Sequence, residues 1–492
     1  MPAESDLMKP NIQTLRELRE SGYTPKPIRE ELRANLIAML DRREPLFPEV
    51  VGYGDTVIPQ VQRAVLAGHS MNLLGLRGQA KTRMARGLVD LLDEWVPVVP
   101  GSVLNEDPMA PLLHSTAEQL HDDHPIAWMH RSERYVEKLA TPDVSVADLI
   151  GDVDPIKAAN LGLDYSDERV IAYGLIPRSH RCIFAINELP DLQPRIQVAL
   201  FNILQEGDIQ IRGFQMRLAL DLQFVFTANP EDYTSRGAII TPLKDRIQSQ
   251  ILTHYPRSIE DSLAITAQEA RLTAEQHRRV VVTPLVAEFV ERVAVAARES
   301  EYIDAGSGVS ARLSITAYEL LVAASELRSH LTGDAPTNTR ITDLLGIIPA
   351  ITGKVELVYE GEQEGPEGVA VHLMNQAFRG LFAERFPDAE LVRRGKMEDV
   401  YAAVVAHFND EGLEFLRMDN DAEHAEKLDA VAGLKALVDR YLPTDDAEAR
   451  RGAMEFALHG MAAHNLLGKD VIDGEVSFSD LMGNLFSSDD ED

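Results

Sequence analysis

The sequence of 492 residues contains a single cysteine, Cys182, and no long apolar segment. One cysteine excludes an internal disulfide bond and a zinc cluster built from several thiolates. No stretch reaches about 18 apolar residues, the length that a membrane-spanning helix needs. The N-terminus also lacks a basic segment followed by an apolar one, so we expect no secretory signal. These absences favour a protein without a membrane span that works in the cytoplasm.

Positive charge is also scarce. Lys and Arg number 48 against 79 Asp and Glu, which gives a net charge of −31. Such a surface repels a phosphate backbone over most of its area, so nucleic acid is disfavoured as a partner. The acidic balance is also a common means of keeping a protein in solution. Because the length exceeds what one core supports, we expect about two to four domains.

The alternation of apolar and polar residues divides the chain into four regions. Apolar strand-like runs alternate with helical patterns in the second region, and the other three have helical patterns. The predicted regions are a helical N-terminal extension (1–45), an α/β core (46–260), a helical bundle (261–358) and an acidic helical C-terminal region with a disordered tail (369–492). A linker rich in Gly, Glu and Pro is predicted at residues 360–368.

The first region is predicted to contain two short helices separated by the segment Pro25–Pro27. The second of these helices has apolar residues at Leu32, Leu36, Ile37 and Leu40. This spacing predicts one buried stripe along that helix.

The core contains three continuous apolar runs that predict buried strands. They are MNLLGL (71–76), RCIFAI (181–186) and LQFVFTAN (222–229). Continuous apolar strands that alternate with helices are typical of a parallel sheet covered on both faces. Ligands of such sheets bind at the carboxyl ends of the strands.

A glycine-containing turn follows the first of these strands and leads into a helical segment. Its spacing is close to the phosphate-binding P-loop, which has Gly, four residues, Gly, Lys, then Ser or Thr. Gly75 opens the motif, Gly78 lies inside it, and Lys81 and Thr82 close it, with Ala80 in place of the last glycine. Backbone N–H groups and the helix N-terminus then cradle phosphates, the lysine reaches the outer phosphates and the threonine binds Mg²⁺. The alternative is an ordinary strand-to-helix turn.

The second apolar strand ends in a polar pair, Asn187 and Glu188. The usual pair at this place is Asp and Glu, of which the Asp orients Mg²⁺ and the Glu polarises the attacking water. Glu188 keeps the second role, whereas Asn187 keeps an oxygen but loses the charge. The alternative is a buried strand that ends in polar residues without a role in chemistry.

The third apolar strand ends at Asn229. A polar side chain here lies beside the strand of the loop and is able to position a water molecule near the outermost phosphate. An Asx turn before Pro230 explains the same residue equally well.

The order and spacing of these segments resemble the AAA+ ATPases of the magnesium chelatase ATPase-subunit and MoxR-like group, and magnesium chelatase most closely. The resemblance runs from Leu46 to about Val355. It includes the entry segment PEVVGYGDTVIPQVQRAVLAG, in which Val51 and Gly52 would touch adenine, and the hairpin segment LQEGDIQIRGFQMRLALDLQFVFTANPED. It implies a parallel-sheet P-loop AAA+ core with a helical lid, and ATP and Mg²⁺ as cofactors.

The resemblance also implies roles for two arginines. Arg246 in TPLKDRIQSQI would act on the nucleotide of a neighbouring subunit, where it would stabilise charge on the transferred phosphoryl group. Arg312 would contact the outermost phosphate from the lid, with Ser310 capping its helix. The alternatives are an ion pair of Arg246 with Asp245 or another acid, and a bond of Arg312 to a nearby acid.

The predicted site is therefore a set of loop, strand-end and arginine residues. Catalytic roles fall to Glu188, Lys81, Arg246 and Asn229. The nucleotide-binding residues are Val51, Gly52, Gly75, Gly78, Gln79, Ala80, Lys81, Thr82, Arg83 and Arg312, and the metal ligands are Thr82 and Asn187. Ala80 and Asn187 depart from the family pattern, and both departures favour reduced hydrolysis with retained binding.

Three functions compete at this point. The first is a motor ATPase that forms a ring, expected to be a hexamer, and remodels a partner protein with a von Willebrand factor A domain. The second is a nucleotide-binding scaffold with weak or no hydrolysis. The third is a DNA-linked AAA+ activator, which residues 148–180 disfavour because they contain no GAFTGA loop.

Overall fold

The computed structural model describes residues 9–163, 167–207, 209, 218–230, 239–409, 411–416, 418–472 and 475–481. The chain divides into two compact units, Met1–His254 and Tyr255–Asp492. Most of the predicted hairpin before the third strand and the predicted acidic tail lie outside the described residues. Among the residues that the structure does describe, no helix is long and apolar enough to cross a membrane.

The described residues of the first unit form nine strands. They are β1 (Met71–Leu74), β2 (Trp95–Val98), β3 (Ala127–His130), β4 (Tyr135–Leu139), β5 (Gly151–Val153), β6 (Ile171–Tyr173), β7 (Cys182–Asn187), β8 (Leu222–Ala228) and β9 (Ser249–Leu252). Five of them form a sheet with the order β4-β7-β8-β1-β9. Every pairing in this sheet is parallel, so the predicted parallel sheet is confirmed.

The helices of the first unit lie between and beside these strands. They are Leu15–Glu20, Ile28–Asp41, Ile58–Leu66, Lys81–Gly87, His114–Gln119, Val146–Leu149, Pro155–Leu161, Leu175–Arg178, Pro194–Glu206 and Thr241–Arg246. Alternate residues of the central strands enter two different cores. Ile183 and Val225 belong to one core, and Phe184 and Phe224 belong to the other. The sheet is therefore covered on both faces, as its continuous apolar strands predict.

The N-terminal segment packs into the same unit rather than standing apart from it. Its second helix buries Ile28, Leu32 and Leu36, which recur every four residues and lie in the core that contains β1. Ile37 and Leu40 were predicted to join this stripe, but they are 39% and 40% exposed. A spacing of four residues at 3.6 residues per turn keeps one narrow face inward, and those two positions fall outside it.

The second unit is mainly helical. Its helices are Ile259–Glu269, Ala274–Arg279, Pro284–Glu299, Arg312–Thr332, Ile348–Thr352, Tyr359–Glu364, Pro366–Arg385, Ala389–Arg393, Ala402–Phe408, Asp421–Ala430, Leu434–Tyr441 and Ala447–Ala463. Its strands are β10 (Val280–Val281), β11 (Thr337–Asn338), β12 (Leu413–Phe415), β13 (Gly468–Ile472) and β14 (Glu475–Ser479). The last three form a small sheet in the order β12-β14-β13, which the sequence patterns did not predict.

One hydrophobic core extends through the second unit, from the bundle that the sequence predicts into the C-terminal region. Val293, Phe382 and Phe456 are all fully buried in it. The linker predicted at residues 360–368 is wrong, because two helices meet there at Gly365, whose φ is +83°. The glutamates of this segment favour a helix, and Pro366 begins the next helix at the position where proline is best tolerated.

Candidate nucleotide-binding site

The loop after β1 requires glycine at its first position. A Cβ atom on Gly75 would overlap both the Thr253 hydroxyl and the Gln79 side-chain oxygen. These two groups are themselves hydrogen bonded, with Thr253 Oγ1 donating to Gln79 Oε1 at 2.6 Å. Gly78 has a φ of +76°, which glycine adopts at little cost. The backbone at Gly75 therefore lies directly against the side chains of Thr253 and Gln79, and the backbone at Gly78 has a conformation that favours glycine.

Ala80 is the last residue of the loop and has a left-handed backbone, with φ 55° and ψ 15°. It forms the N-cap of the helix Lys81–Gly87, whose N-terminal N–H groups face the loop end. A left-handed alanine costs about 1–2 kcal/mol, because its Cβ atom crowds the following carbonyl oxygen. The departure from glycine that the sequence shows is therefore a strained position in the structure.

The Lys81 side chain connects the loop to a neighbouring strand end. Its Nζ atom donates to the carbonyl oxygens of Gly75 and Leu76 and, at 2.8 Å, to Oδ1 of Asn229. Asn229 follows β8, which pairs with β1 in parallel, and is only 5% exposed. The structure thus brings together two residues that the sequence predicts to act on the same phosphate.

Tyr53 and Thr253 hold the loop in place, and sequence reasoning missed both. The Tyr53 hydroxyl lies 2.7 Å from the carbonyl oxygen of His254 and 3.2 Å from that of Gln79. Tyr53 directly follows the predicted contacts Val51 and Gly52, so the entry segment reaches the loop. Thr253 could have been recognised from its position immediately after β9, at the same edge of the sheet as the loop.

Polar side chains are hydrogen bonded to one another at the end of β7. Asn187 is 8% exposed, and its Nδ2 atom donates to Oε1 of Glu137 at 2.6 Å. Its Oδ1 atom accepts a hydrogen bond from Thr227 Oγ1 at 3.1 Å. The backbone N–H of Glu188 donates to the same threonine oxygen at 3.2 Å, and Glu188 has a left-handed backbone with φ 57°. Both predicted residues of this strand end are therefore fixed by side chains from neighbouring strands.

Glu137, in the middle of β4, is a further acidic residue at this place that the sequence patterns did not reveal. Its Oε2 atom accepts hydrogen bonds from Arg86 Nε at 2.9 Å and from the Tyr135 hydroxyl at 3.2 Å. The hydrogen bond to Glu137 raises the pKa of Arg86, and burial raises the pKa of Tyr135. Arg86 lies on the helix that Lys81 begins, so Glu137 connects that helix to the end of β7.

The two predicted arginines lie in different units. Arg246 ends the helix Thr241–Arg246, where it pairs with Asp245, donates to Gln205 Oε1 at 3.2 Å and stands over the Phe201 ring. Arg312 is exposed and begins the helix Arg312–Thr332 in the second unit. The roles of both arginines toward a nucleotide stay predictions.

The predicted cap of the second arginine's helix needs a small correction. Ala311 is the N-cap residue, and no side chain caps the helix in the usual way. The backbone N–H of Arg312 nevertheless donates to Ser310 Oγ at 3.2 Å, because Ser310 lies one residue before the cap.

The residues of the first unit fit a nucleotide with Mg²⁺. Lys81 supplies positive charge at the start of the helix that follows the loop, and Thr82 and Arg83 lie in the first turn of that helix. The strand end adds an amide oxygen from Asn187 and carboxylates from Glu188 and Glu137. Mg²⁺ prefers oxygen ligands of these kinds. Among the described residues, no group of three or more His, Cys, Asp or Glu side chains is placed to hold a metal ion by itself.

The fold and the loop together define a class of protein. A glycine loop that follows a parallel strand and leads through lysine and threonine into a helix is the P-loop arrangement of nucleotide-binding proteins. The predicted α/β fold class, a parallel sheet with helices together with further helical regions, is confirmed.

Comparison with known proteins gives the following. No family model matches the chain. A putative ATPase from Cytophaga hutchinsonii is 16% identical and aligns over 73% of this chain and 97% of its own, with a TM-score of 0.31. The magnesium chelatase BchI–BchD complex is 20% identical and aligns over 65% and 99%, with a TM-score of 0.34. NtrX from Brucella abortus with bound ATP is 14% identical and aligns over 81% and 72%, with a TM-score of 0.36.

Proposed function

We propose that this chain is an AAA+ ATPase that binds ATP with Mg²⁺ at the loop from Gly75 to Arg83 and hydrolyses it. The observation that carries the proposal is the 2.8 Å contact between Lys81 Nζ and Asn229 Oδ1. It joins the lysine of the loop to the polar residue of the adjacent strand end, and in this proposal both act on the outermost phosphate. An ordinary strand-to-helix turn gives no reason for this pairing.

Each residue of the site has a distinct task in this proposal. Lys81 and the loop amides bind and orient the phosphates, and bound Mg²⁺ supplies charge neutralisation beside Thr82 and Asn187. Glu188 accepts a proton from the attacking water, and Asn229 fixes the position of that water. Val51 and Gly52 contact the base.

We further propose that the active form is a ring, as in the magnesium chelatase ATPase-subunit and MoxR-like group, with six subunits expected. Arg246 then reaches the site of the next subunit, and Arg312 reports the nucleotide state to the helical unit. The 36% exposure of the Arg246 side chain leaves it accessible to a neighbouring chain. The partner to be remodelled carries a von Willebrand factor A domain in this proposal.

A nucleotide-binding scaffold is the second candidate. The strain at Ala80, with its φ of 55°, and the uncharged amide of Asn187 favour it. In this proposal Ala80 loosens the phosphate loop and Asn187 weakens the hold on the metal, so that hydrolysis is reduced and binding is retained.

Steady-state phosphate release by the full chain with ATP and Mg²⁺ distinguishes the two candidates. The motor proposal predicts turnover in the wild-type protein that Glu188→Gln and Lys81→Ala both abolish. Matched controls are Glu30→Gln and Lys157→Ala, since both residues are exposed in the same unit and far from the loop in sequence. Absence of turnover with ATP binding lost in Lys81→Ala alone contradicts the motor proposal and supports the scaffold.

The ring proposal has its own test. Glu188→Gln and Arg246→Ala subunits are each inactive, but a mixed ring contains some sites with both residues intact. Mixing the two inactive proteins therefore restores part of the turnover. If mixtures stay inactive at every ratio while wild-type subunits are active, Arg246 does not act across a subunit interface.

A further inference from the structure

A row of side chains links three neighbouring strands at the proposed metal side of the site. Glu137 on β4 accepts from Asn187 on β7 at 2.6 Å, and Asn187 accepts from Thr227 on β8 at 3.1 Å. Thr227 in turn accepts from the backbone N–H of Glu188 at 3.2 Å. The row therefore begins with a carboxylate and ends at the proposed catalytic glutamate.

The carboxylate of this row lies on the neighbouring strand β4 and contacts Asn187, the position where the family pattern has an aspartate. Asn187 carries no charge, yet its amide nitrogen donates to a carboxylate whose side chain is 23% exposed. That hydrogen bond fixes which end of the Asn187 amide faces Glu137, so the Asn187 oxygen is directed away from β4. An amide held in this way presents an oxygen that a neighbouring negative charge polarises.

Arg86 gives the carboxylate a counterion on the helix of the loop. Arg86 lies four residues after Thr82, which is about 6 Å along a helix. Its side chain is 64% exposed, so solvent screens part of its attraction to Glu137 and the two charges do not cancel. The negative charge of Glu137 is therefore not fully neutralised, and it acts on Asn187 at the end of β7.

We propose that Glu137 supplies, through Asn187, the negative charge that this strand end otherwise lacks for Mg²⁺. Glu137 is a positioning residue in this inference, and Asn187 remains the group closest to the metal. The inference rests on the proposed function, because it assumes that ATP binds at the loop with Mg²⁺.

The probe is the fluorescent nucleotide MANT-ATP, titrated into the full chain in Mg²⁺ and in EDTA. The ratio of the two affinities measures the contribution of the metal. Glu137→Gln keeps an oxygen that accepts from Asn187 but removes the charge, so we expect this ratio to fall about tenfold with little change in EDTA. Binding of Mn²⁺ with the nucleotide, measured by electron paramagnetic resonance, weakens in parallel.

Two further variants separate charge from structure. Asn187→Asp alone places two carboxylates in contact and is expected to gain no metal dependence, because like charges at this distance repel. The double variant Glu137→Gln/Asn187→Asp keeps one charge and restores the wild-type ratio. Arg86→Gln, at an exposed side chain, removes the counterion and raises the ratio.

The outcomes separate this inference from the function on which it rests. A wild-type protein that binds no MANT-ATP in Mg²⁺ overturns both the proposed function and the inference. Wild-type binding with a ratio that neither Glu137→Gln nor Arg86→Gln changes overturns the inference alone. If Glu137→Gln fails to fold, Arg86→Gln decides the matter by itself, since a ratio that stays the same or falls contradicts the proposal.

Discussion

Lys81 Nζ and Asn229 Oδ1 lie 2.8 Å apart, across the two adjacent strands β1 and β8. This hydrogen bond joins a helix N-terminus to a strand end. Because parallel strands present their carboxyl ends at one edge of a sheet, residues 148 positions apart in the chain meet there. The pairing supports the proposed phosphate site, and the first prediction tests it.

Asn229→Ala removes the contact with Lys81 and the group that we propose to position the attacking water. We expect phosphate release to fall about a hundredfold, as for other single positioned polar groups, and MANT-ATP affinity to change far less. Steady-state phosphate release and fluorescence titration measure the two quantities. Equal losses in both would show that Asn229 shapes the loop rather than the reaction.

Gly75→Ala is expected to abolish ATP binding, because the added Cβ atom would overlap the side chains of Thr253 and Gln79. Gly54→Ala is the matched control, since a Cβ atom on Gly54 meets nothing within 4 Å. Isothermal calorimetry with ATP and Mg²⁺ reports both affinities. Retained binding in Gly75→Ala would mean that the packing of Gly75 against Thr253 and Gln79 is not needed for nucleotide binding.

Ala80→Gly relieves the left-handed strain at the helix N-cap. The gain of about 1–2 kcal/mol is partly offset by about 0.5–1 kcal/mol of extra backbone entropy in the unfolded chain. We expect the free energy of unfolding to rise by up to about 1 kcal/mol and ATP affinity to increase, because the methyl group leaves the loop. Urea denaturation and MANT-ATP titration check this, and weaker nucleotide binding would be the contrary result.

The first unit also contains a buried ion pair that stabilises the N-terminal helix against the sheet. Arg134 Nη1 and Nη2 donate to the two oxygens of Glu31 at 2.5 and 2.8 Å, and both side chains are under 5% exposed. Glu31→Ala leaves the arginine buried without its carboxylate, so we expect a loss of about 3–5 kcal/mol.

The exposed pair of Arg16 with Asp123 is the control for that variant. Its side chains are 55% and 75% exposed, and Arg16→Ala is expected to cost at most about 1 kcal/mol. Denaturation of both variants, followed by circular dichroism, gives the comparison. Similar midpoints for the two variants would show that the buried pair contributes little.

Because of His459 in the second unit, we expect the stability of the folded protein to fall in acid. Burial lowers its pKa from 6.5 to about 3, and it stacks on Phe378 with ring centroids 5.1 Å apart. The unfolded chain therefore binds one more proton than the folded chain between these pH values, so stability is lost as pH falls below about 6.5. His459→Phe removes this pH dependence. We therefore expect the slope of the free energy of unfolding against pH to fall by about 1.4 kcal/mol per pH unit. Urea denaturation across pH 4–7 measures this slope. An unchanged slope would show that His459 titrates normally in the folded protein.

The sequence was sufficient to predict the three central strands and failed for the two strands at the edges of the sheet. Strands β7 and β8 are buried throughout, so their continuous apolar runs are easily recognised. Strands β4 and β9 are edge strands with polar residues, because one side of each lacks a neighbouring strand. Glu137 lies on β4, which explains why no pattern pointed to it.

The loop could be recognised in the sequence because its residues are contiguous. The residues that hold the loop in place could not be recognised in this way. The spacing from Gly75 to Thr82 carries a phosphate-binding pattern by itself. Tyr53 and Thr253 contact the loop only after the chain has folded, since they come from segments distant in sequence. The strain at Ala80 depends on its backbone angles, which the sequence does not give.

The decisive experiment measures MANT-ATP binding to the full chain in Mg²⁺ for wild type, Lys81→Ala and the exposed control Lys157→Ala. If the loop binds the nucleotide, the wild-type and control proteins bind MANT-ATP saturably and Lys81→Ala does not. Equal binding in all three, or no binding in the wild-type protein, would contradict the assignment of a nucleotide site to this loop.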